Sequence, residues 1–460
     1  MMAIFVTDEV KDPESAPSIL WDMYRETFTA VKLRLYGQFP IFVSLMPIAN
    51  FPGLLSAALL LANCRATTPT QTMAATPAAA PSVTVASPPQ VLIEPTAALR
   101  VGAAQFERYL PLLKGKRVGL VVNQTALVGR AFLLDTLLTQ GVAVKAVFGP
   151  EHGFRGEAAD GATIKDGKDA RTGLPVRSLY GATKKPTPVM LTDVDVLVFD
   201  IQDVGVRFYT FISTMHYVME AAAEQGKEVI VLDRPNPNGW YVDGPVLEPQ
   251  HKSFVGMHPI PVVHGLTVGE LAQMINGEKW LAGGKQCRLT VVPVQGYTHA
   301  TRYALPVRPS PNLPNAHSVS LYPTICLFEG TDVSVGRGTD MPFEMVGAPT
   351  QPATRPFSFT PRPNTGSPTP PQNGKLCYGL DLRSSGNDVG FTVRYLLDFY
   401  QQSTAKDKFF GKYFEQLTGT STVRQMIVAG KTEPEIRASW EPALGQYKAM
   451  RKKYLLYPEK

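Results

Sequence analysis

What constrains this chain most is an alternation of two periods that begins near residue 100. Apolar runs of strand length give way to stretches with helical spacing. KRVGLVVN (116–123) predicts a strand, AFLLDTLLTQG (131–141) a helix stopped by Gly, and VAVKAVFG (142–149) a second strand. DVDVLVFDI (193–201), the helix FISTMHYVMEAAAEQG (211–226) and the strand EVIVLD (228–233) continue the series. Strands that are apolar on both faces and separated by helices belong to a parallel sheet covered on both sides. In such sheets a ligand settles beyond the carboxyl ends of the strands. Here those ends read GPEHGFRG, DIQDVGVRFYTF and DRPNPNG, with more charge, Gly and Pro than loop closure requires. The first strand runs into Asn123-Gln124-Thr125 and not into a Gly-rich turn, so the dinucleotide fingerprint is missing, as is a P-loop lysine.

A helix at 267–280 and a strand at 288–294 close this series. Pro-rich stretches recur up to about residue 375, and PFSFTPRPNTGSPTPPQNG (356–374) reads as an exposed insertion or linker. The end is mostly helical: TVRYLLDFYQQ, a segment at 409–417, and a last helix through about 433–454 before YLLYP. The expected class is α/β, with a Rossmann-like parallel-sheet subdomain over 99–295 and a smaller, mainly helical α+β subdomain over 296–460 that completes a cleft.

With 460 residues, 44% of them hydrophobic and 18% charged, the chain can bury a sizeable core. A net charge of +6 with no long Lys/Arg block makes nucleic acid a poor partner and suits an acidic saccharide equally well. Residues 39–62 form an uncharged run of about bilayer-spanning length after Lys32 and Arg34, ending at Leu61-Ala62-Asn63-Cys64. This resembles a bacterial lipoprotein export signal in which Cys64 is acylated, with an uncleaved signal anchor or ordinary secretion as the other readings. The expected location is the cell envelope, with the membrane reached through a lipid or signal anchor at 1–64. Residues 65–98, rich in Thr, Ala and Pro, cannot offset their ordering entropy and read as a flexible tether. Cys287, Cys326 and Cys377 lack metal-ligand spacing and are expected as buried thiols or with one disulfide among them.

Three clusters carry the chemistry. Gly149-Pro150-Glu151-His152-Gly153-Phe154-Arg155-Gly156 puts an acid, an imidazole and a guanidinium at a strand end, where the plain alternative is a turn with a surface ion pair. Asp200, Asp203, Arg207 and Tyr209 crowd another strand end; one Asp can simply cap the helix beginning near Phe211, and the sequence favours neither for that role. The third cluster is FEGTD (328–332) with GRGT (336–339) and PFE (342–344), whose Gly residues suit backbone close to a ligand or tight turns alone.

Together GPEHGFRG, LVFDIQDVGVRFYTF with VIVLDRPNPNG, SPNLP followed by LYPT, FEGTDVSVGRGT, PFE and the closing YLLY resemble the exo-acting β-N-acetylmuramidases, over about residues 100–457. The resemblance implies cleavage of terminal, non-reducing β-linked N-acetylmuramic acid from peptidoglycan fragments. Glycosidic cleavage ordinarily uses two carboxyl groups, one protonated and one ionised. Glu151 is the expected general acid and Glu329 the second carboxylate, with Asp200 and Asp203 as competitors. His152 beside Glu151 is a candidate to tune it or to hold a sugar hydroxyl. Arg155, Arg207, Arg234 and Arg337 are candidates for the lactyl carboxylate, because a guanidinium fork matches a carboxylate; the rest of the four would brace loops. Tyr209, Phe208 and Trp240 are candidates to stack on a sugar, with core packing favoured for Phe208, and Asn238 joins the substrate-binding set. No cofactor is expected, since no metal-type ligand spacing appears. A non-catalytic peptidoglycan-binding lipoprotein is the rival reading, disfavoured because binding has no need of two convergent Glu. An esterase or amidase lacks its Gly-x-Ser-x-Gly elbow or Cys/His pair.

Overall fold

The computed structural model describes residues 99–151, 153–154, 166–387 and 389–460. The apolar run 39–62, Cys64, the tether, His152 and Arg155 lie outside the described residues.

Seven strands form the central sheet: β1 (Val118–Val122), β2 (Val144–Gly149), β3 (Gly167–Lys168), β4 (Pro175–Ser178), β5 (Val196–Asp200), β6 (Glu228–Leu232) and β7 (Arg288–Val292). Their spatial order is β7-β6-β5-β1-β2-β4-β3, parallel throughout except for β3, which pairs antiparallel with β4. Alternate residues of the central strands β1, β5 and β6 feed opposite cores. Leu120, Val122, Val196, Val198, Ile230 and Leu232 pack with Tyr109, Leu134 and Leu137 on one face, beneath α1 (Phe106–Leu113) and α2 (Leu133–Thr139). Val121, Leu197, Phe199, Val229 and Val231 pack with Met215, Met219 and Leu271 on the other, beneath α3 (Phe211–Glu224) and α4 (Val268–Gly277). This two-sided burial is why the strands read as unbroken apolar runs.

The second core does not stop at the sheet. It continues through Leu321 and Ile325 of α5 (Ala316–Ile325), Leu396 and Phe399 of α6 (Arg394–Gln402), Phe414 of α7 (Phe414–Thr418), Ile427 of α8 (Thr422–Val428) and Trp440 of α9 (Glu433–Arg451). A three-stranded antiparallel sheet, β8 (Met345–Ala348), β10 (Cys377–Asp381) and β9 (Phe357–Phe359) in that spatial order, stands among these helices. The Pro-rich stretch 356–374, expected as an exposed insertion or linker, is therefore in part a strand. Phe357 and Phe359 supply the two-residue period that its prolines obscure, and Phe359 lies against Gly347 of β8. Cys287, Cys326 and Cys377 are buried free thiols.

The chain leaves β1 toward β2 and β4 on one side, then returns to β5 on the other, so the sheet's switch point lies between β1 and β5. The two loops at that point are tied together. Thr125 Oγ1 accepts from the Gln202 backbone N–H at 3.0 Å, and the Gln202 side chain donates to Pro235 O at 2.7 Å in the loop after β6. Gly205 has φ +77° with Asn236 occupying the place a Cβ would need, which accounts for a glycine in the middle of DIQDVGVRF.

Candidate active site

A cavity of about 380 Å³ opens beyond the carboxyl ends of β2 and β5, and both Glu151 and Glu329 line it. Glu151 stands two residues past β2, and its Oε2 accepts from the Thr210 hydroxyl at 3.2 Å. Thr210 precedes α3, so the loop after β5 braces the acid that follows β2. Tyr209 also lines the cavity, fixed by its hydroxyl donating to Pro309 O at 2.9 Å and by edge contacts with Phe211 and Tyr322. Phe208 borders the cavity but is almost fully buried, which is core packing in the main.

Glu329 reaches the same space from the other half of the chain. It sits in the 3-10 turn Cys326–Gly330 that prolongs α5. The start of α5 is fixed by a capping box, with the Asn315 side chain accepting from Ser318 N at 2.9 Å. Glu344 of the PFE motif accepts from the Asn315 amide, which assigns that acid to holding the helix cap. Glu329 Oε1 accepts from Arg337 Nε, and Glu329 Oε2 accepts from the buried Cys326 thiol at 3.3 Å. Burial pushes the Cys326 thiol well above its ordinary range, so it serves here as a neutral donor. Arg337 also lies 5.1 Å from the centroid of the Phe343 ring. Phe343 is a non-glycine residue at φ +65°, a conformation that costs about 1 to 3 kcal/mol. Its backbone N–H donates to Val335 O at 2.7 Å, and its ring packs edge-on against Tyr322 at 5.0 Å. The strained backbone thus holds an aromatic wall between the guanidinium and the tyrosine. Gly338 serves a turn, since a Cβ there would strike Arg362 O and Pro370 of the Pro-rich stretch.

The other candidates from the sequence go elsewhere. Asp200 and Arg234, both buried, form a two-pronged ion pair with contacts of 2.6 and 2.9 Å, and Arg234 also donates to Leu127 O at 3.1 Å. Burial pushes the Asp200 carboxyl up, and the facing guanidinium opposes that rise. Asp203 accepts from Gly205 N at 2.7 Å and lies 3.4 Å from His264. Neither Asp caps α3; Asp233 instead accepts from Gly269 N and the Thr267 hydroxyl at the start of α4. Arg207 is 1% exposed and donates to the carbonyls of Pro245, Ile260 and Leu417, each at 2.8 Å. With no carboxylate among the described residues offsetting it, burial lowers the Arg207 guanidinium to about 9. Asn238 is buried and ties Val204 O to Val319 O. Trp240 lines a separate groove, its ring 3.7 Å from the Arg302 guanidinium.

Of the described candidates, then, Glu151, Phe208, Tyr209, Glu329 and Arg337 line one cavity. Thr210, Ser310, Tyr322, Thr331 and Tyr413 line it too and were not singled out from sequence. Four of these lie in or beside the quoted motifs; Tyr413 carries no sequence signal at all.

Residues 118–317 match the family model described as exo-beta-N-acetylmuramidase NamZ, N-terminal, and residues 320–457 match its C-terminal counterpart. The peptidoglycan beta-N-acetylmuramidase NamZ of Bacillus subtilis (strain 168) is 41% identical over 384 residues, spanning 76% of this chain and 89% of the relative. A crystal structure of a DUF1343 family protein from Bacteroides fragilis NCTC 9343 shares 46% identity at a TM-score of 0.74, covering 79% of this chain and 99% of that one. A second such protein from the same strain shares 33% identity at a TM-score of 0.68, covering 78% and 99%. With both halves matched in order and the relative aligned along most of its length, the chain belongs to the exo-β-N-acetylmuramidase family.

Proposed function

We infer that this protein is an exo-acting β-N-acetylmuramidase, a glycoside hydrolase that removes terminal, non-reducing N-acetylmuramic acid from peptidoglycan fragments. The observation that carries the reading is the pair of carboxyl groups, Glu151 and Glu329, lining one cavity in a chain of this family. Saccharide binding alone does not require two acids in one pocket, whereas hydrolysis of a glycosidic bond ordinarily uses both.

In this reading Glu151 is the general acid. It gives its proton to the glycosidic oxygen as the bond to C1 of the muramic acid breaks, and the Thr210 hydroxyl fixes the orientation of that carboxyl. Glu329 is the second carboxylate, base toward water or nucleophile toward C1. Its ion pair with Arg337 suits a group that acts ionised, and the Cys326 thiol holds its other oxygen. Tyr209 forms part of the sugar wall. Of the four arginines proposed for the lactyl carboxylate, Arg337 borders the cavity, while Arg155 stays a candidate outside the described residues.

Peptidoglycan is an envelope polymer, so the protein acts in the cell envelope. We propose further that it is exported through 39–62 and tethered as a lipoprotein at Cys64, in a role in cell wall recycling. No described helix is long and apolar enough to cross a membrane. The deciding experiment is turnover of a chromogenic β-N-acetylmuraminide against the matching β-N-acetylglucosaminide. Release from the first and little from the second is expected; release from neither, by a folded protein that still binds peptidoglycan fragments, would leave only a binding role. For the tether, Cys64→Ser is expected to be translocated yet extractable without detergent, and retention in the membrane would point to an uncleaved anchor.

A further inference from the structure

Beside the candidate active site lies a second groove of about 650 Å³ that the chemistry above leaves unused. Its lining includes Tyr400, Lys406, Phe410, Lys412, Glu415 and Arg424. The groove and the cavity share a wall. Gly411 N donates to Gly330 O at 2.8 Å, Asp332 N donates to Phe409 O at 3.0 Å, and Thr331 forms a β-bridge with Phe410. The residues that immediately follow Glu329 are therefore strapped to the segment 409–411. Tyr413, next to Lys412, lines the catalytic cavity.

The groove's charges are unequal in availability. Arg424 is committed to Glu415, with contacts of 2.6 and 2.7 Å. Lys406 and Lys412 are exposed, and among the described residues neither forms an ion pair. Asp407 is the other acid on the lining, so two cations face one uncommitted carboxylate. The floor is aromatic: Tyr400 and Phe410 stack with ring centroids 5.4 Å apart, and Lys406 Nζ lies 5.6 Å from the Tyr400 ring. Aromatic faces beside ammonium groups fit an anionic sugar better than either an apolar chain or a polyanion.

Resting on the muramidase reading, we propose that this groove is the leaving-side subsite. With the terminal muramic acid in the cavity, the groove across the shared wall takes the rest of the fragment. In a peptide-free strand that alternates glucosamine and muramic acid, the next charge along that path is the lactyl carboxylate of the next muramyl unit; where a stem peptide is attached, that carboxyl is an uncharged amide. Lys406 and Lys412 receive that carboxylate, and the stacked pair Tyr400 and Phe410 forms the apolar floor beneath it. Solvent-exposed pairs are individually weak, so the subsite adds a modest affinity for longer fragments and leaves the chemical step alone.

The test is kcat/KM of wild type and the double variant Lys406→Ala/Lys412→Ala on a substrate ladder. The ladder holds a chromogenic muraminide, the muramyl-glucosamine disaccharide, the peptide-free tetrasaccharide with muramic acid at its non-reducing end, and the same tetrasaccharide bearing stem peptides. The expected result is a loss of about three- to tenfold on the peptide-free tetrasaccharide, carried by KM, with the two shorter substrates unchanged. Lys→Arg at both positions is expected to recover most of the loss, and high salt to reduce wild type toward the double variant. Equal losses on all substrates, or none on any, would overturn the subsite. A loss confined to the peptide-bearing tetrasaccharide would also overturn it, by assigning the lysines to peptide carboxylates. Failure of wild type on the chromogenic muraminide would instead sink the muramidase reading itself, which separates the two.

Discussion

Glu329 and Arg337 are joined across the FEGTDVSVGRGT segment by a hydrogen-bonded ion pair, Nε to Oε1, with side chains 20% and 13% exposed at the mouth of one cavity. Partial burial makes such a pair orient its members more firmly than a surface bridge would. Glu329→Gln keeps the shape but not the charge, and is expected to lower kcat about a thousandfold or more with unchanged melting. Arg337→Ala is expected to lower kcat less, with Arg337→Lys retaining part because an ammonium keeps the charge but not the directed Nε–H contact. Near-normal kcat in a well-folded Glu329→Gln protein would remove that residue from the mechanism.

A different signature is expected for Glu151→Gln. If Glu151 supplies the proton to the leaving oxygen, its loss matters little for an activated aryl leaving group and greatly for a natural saccharide, which needs the proton. The ratio of rates on the two substrates is therefore expected to rise by at least about a hundredfold over wild type. A uniform loss on both would assign Glu151 a different role.

Arg207 and Arg234 are expected to act on stability and not on selectivity. Removing Arg207 takes a charged donor from three carbonyls, of which Ile260 O keeps the Leu247 N–H, and removing Arg234 leaves Asp200 buried and unpaired, so each Ala variant should lose about 3 kcal/mol. Denaturant unfolding measures this. A folded Arg207→Ala protein that lost discrimination between muraminide and glucosaminide at normal stability would show that Arg207 reads the lactyl group after all.

Acid sensitivity is expected from the buried pair His216 and His258, whose ring nitrogens Nδ1 and Nε2 lie 3.0 Å apart. Burial lowers His216 to about 4, with Glu220 opposing, and holds His258 well below its ordinary range. The unfolded chain binds the proton more tightly than the folded one, so this contribution is complete above about pH 6.5 and is lost as pH falls toward 4. For His216 the loss amounts to about 3 kcal/mol. The unfolding free energy of wild type should fall across that window, and more steeply than that of His216→Gln. Parallel slopes for the two proteins would exclude the histidine as the cause.

The strand and helix periods were legible because each central strand is apolar on both faces, and its loops carry what the core excludes. That pattern determined the parallel sheet and the strand ends beyond which a ligand is expected, where Glu151 and Tyr209 lie; Glu329 and Arg337 come from the Gly-rich cluster downstream and from the family resemblance. Sequence could not say which charged residues of one strand end face a cavity and which are buried within it. Asp200, Arg234 and Arg207 are the same residue types, in the same loops, as true site groups would be. Only the packing of the chain decides that Arg234 meets Asp200 across neighbouring strands, and that Arg207 points into carbonyls contributed by residues 245, 260 and 417. The shared wall between cavity and groove is likewise invisible in the sequence, because it arises where 330–332 and 409–411 bond to each other. Local periodicity reports which face of an element is apolar. Partner choice among polar groups depends on distances set between remote segments, and those exist only once the whole core has closed.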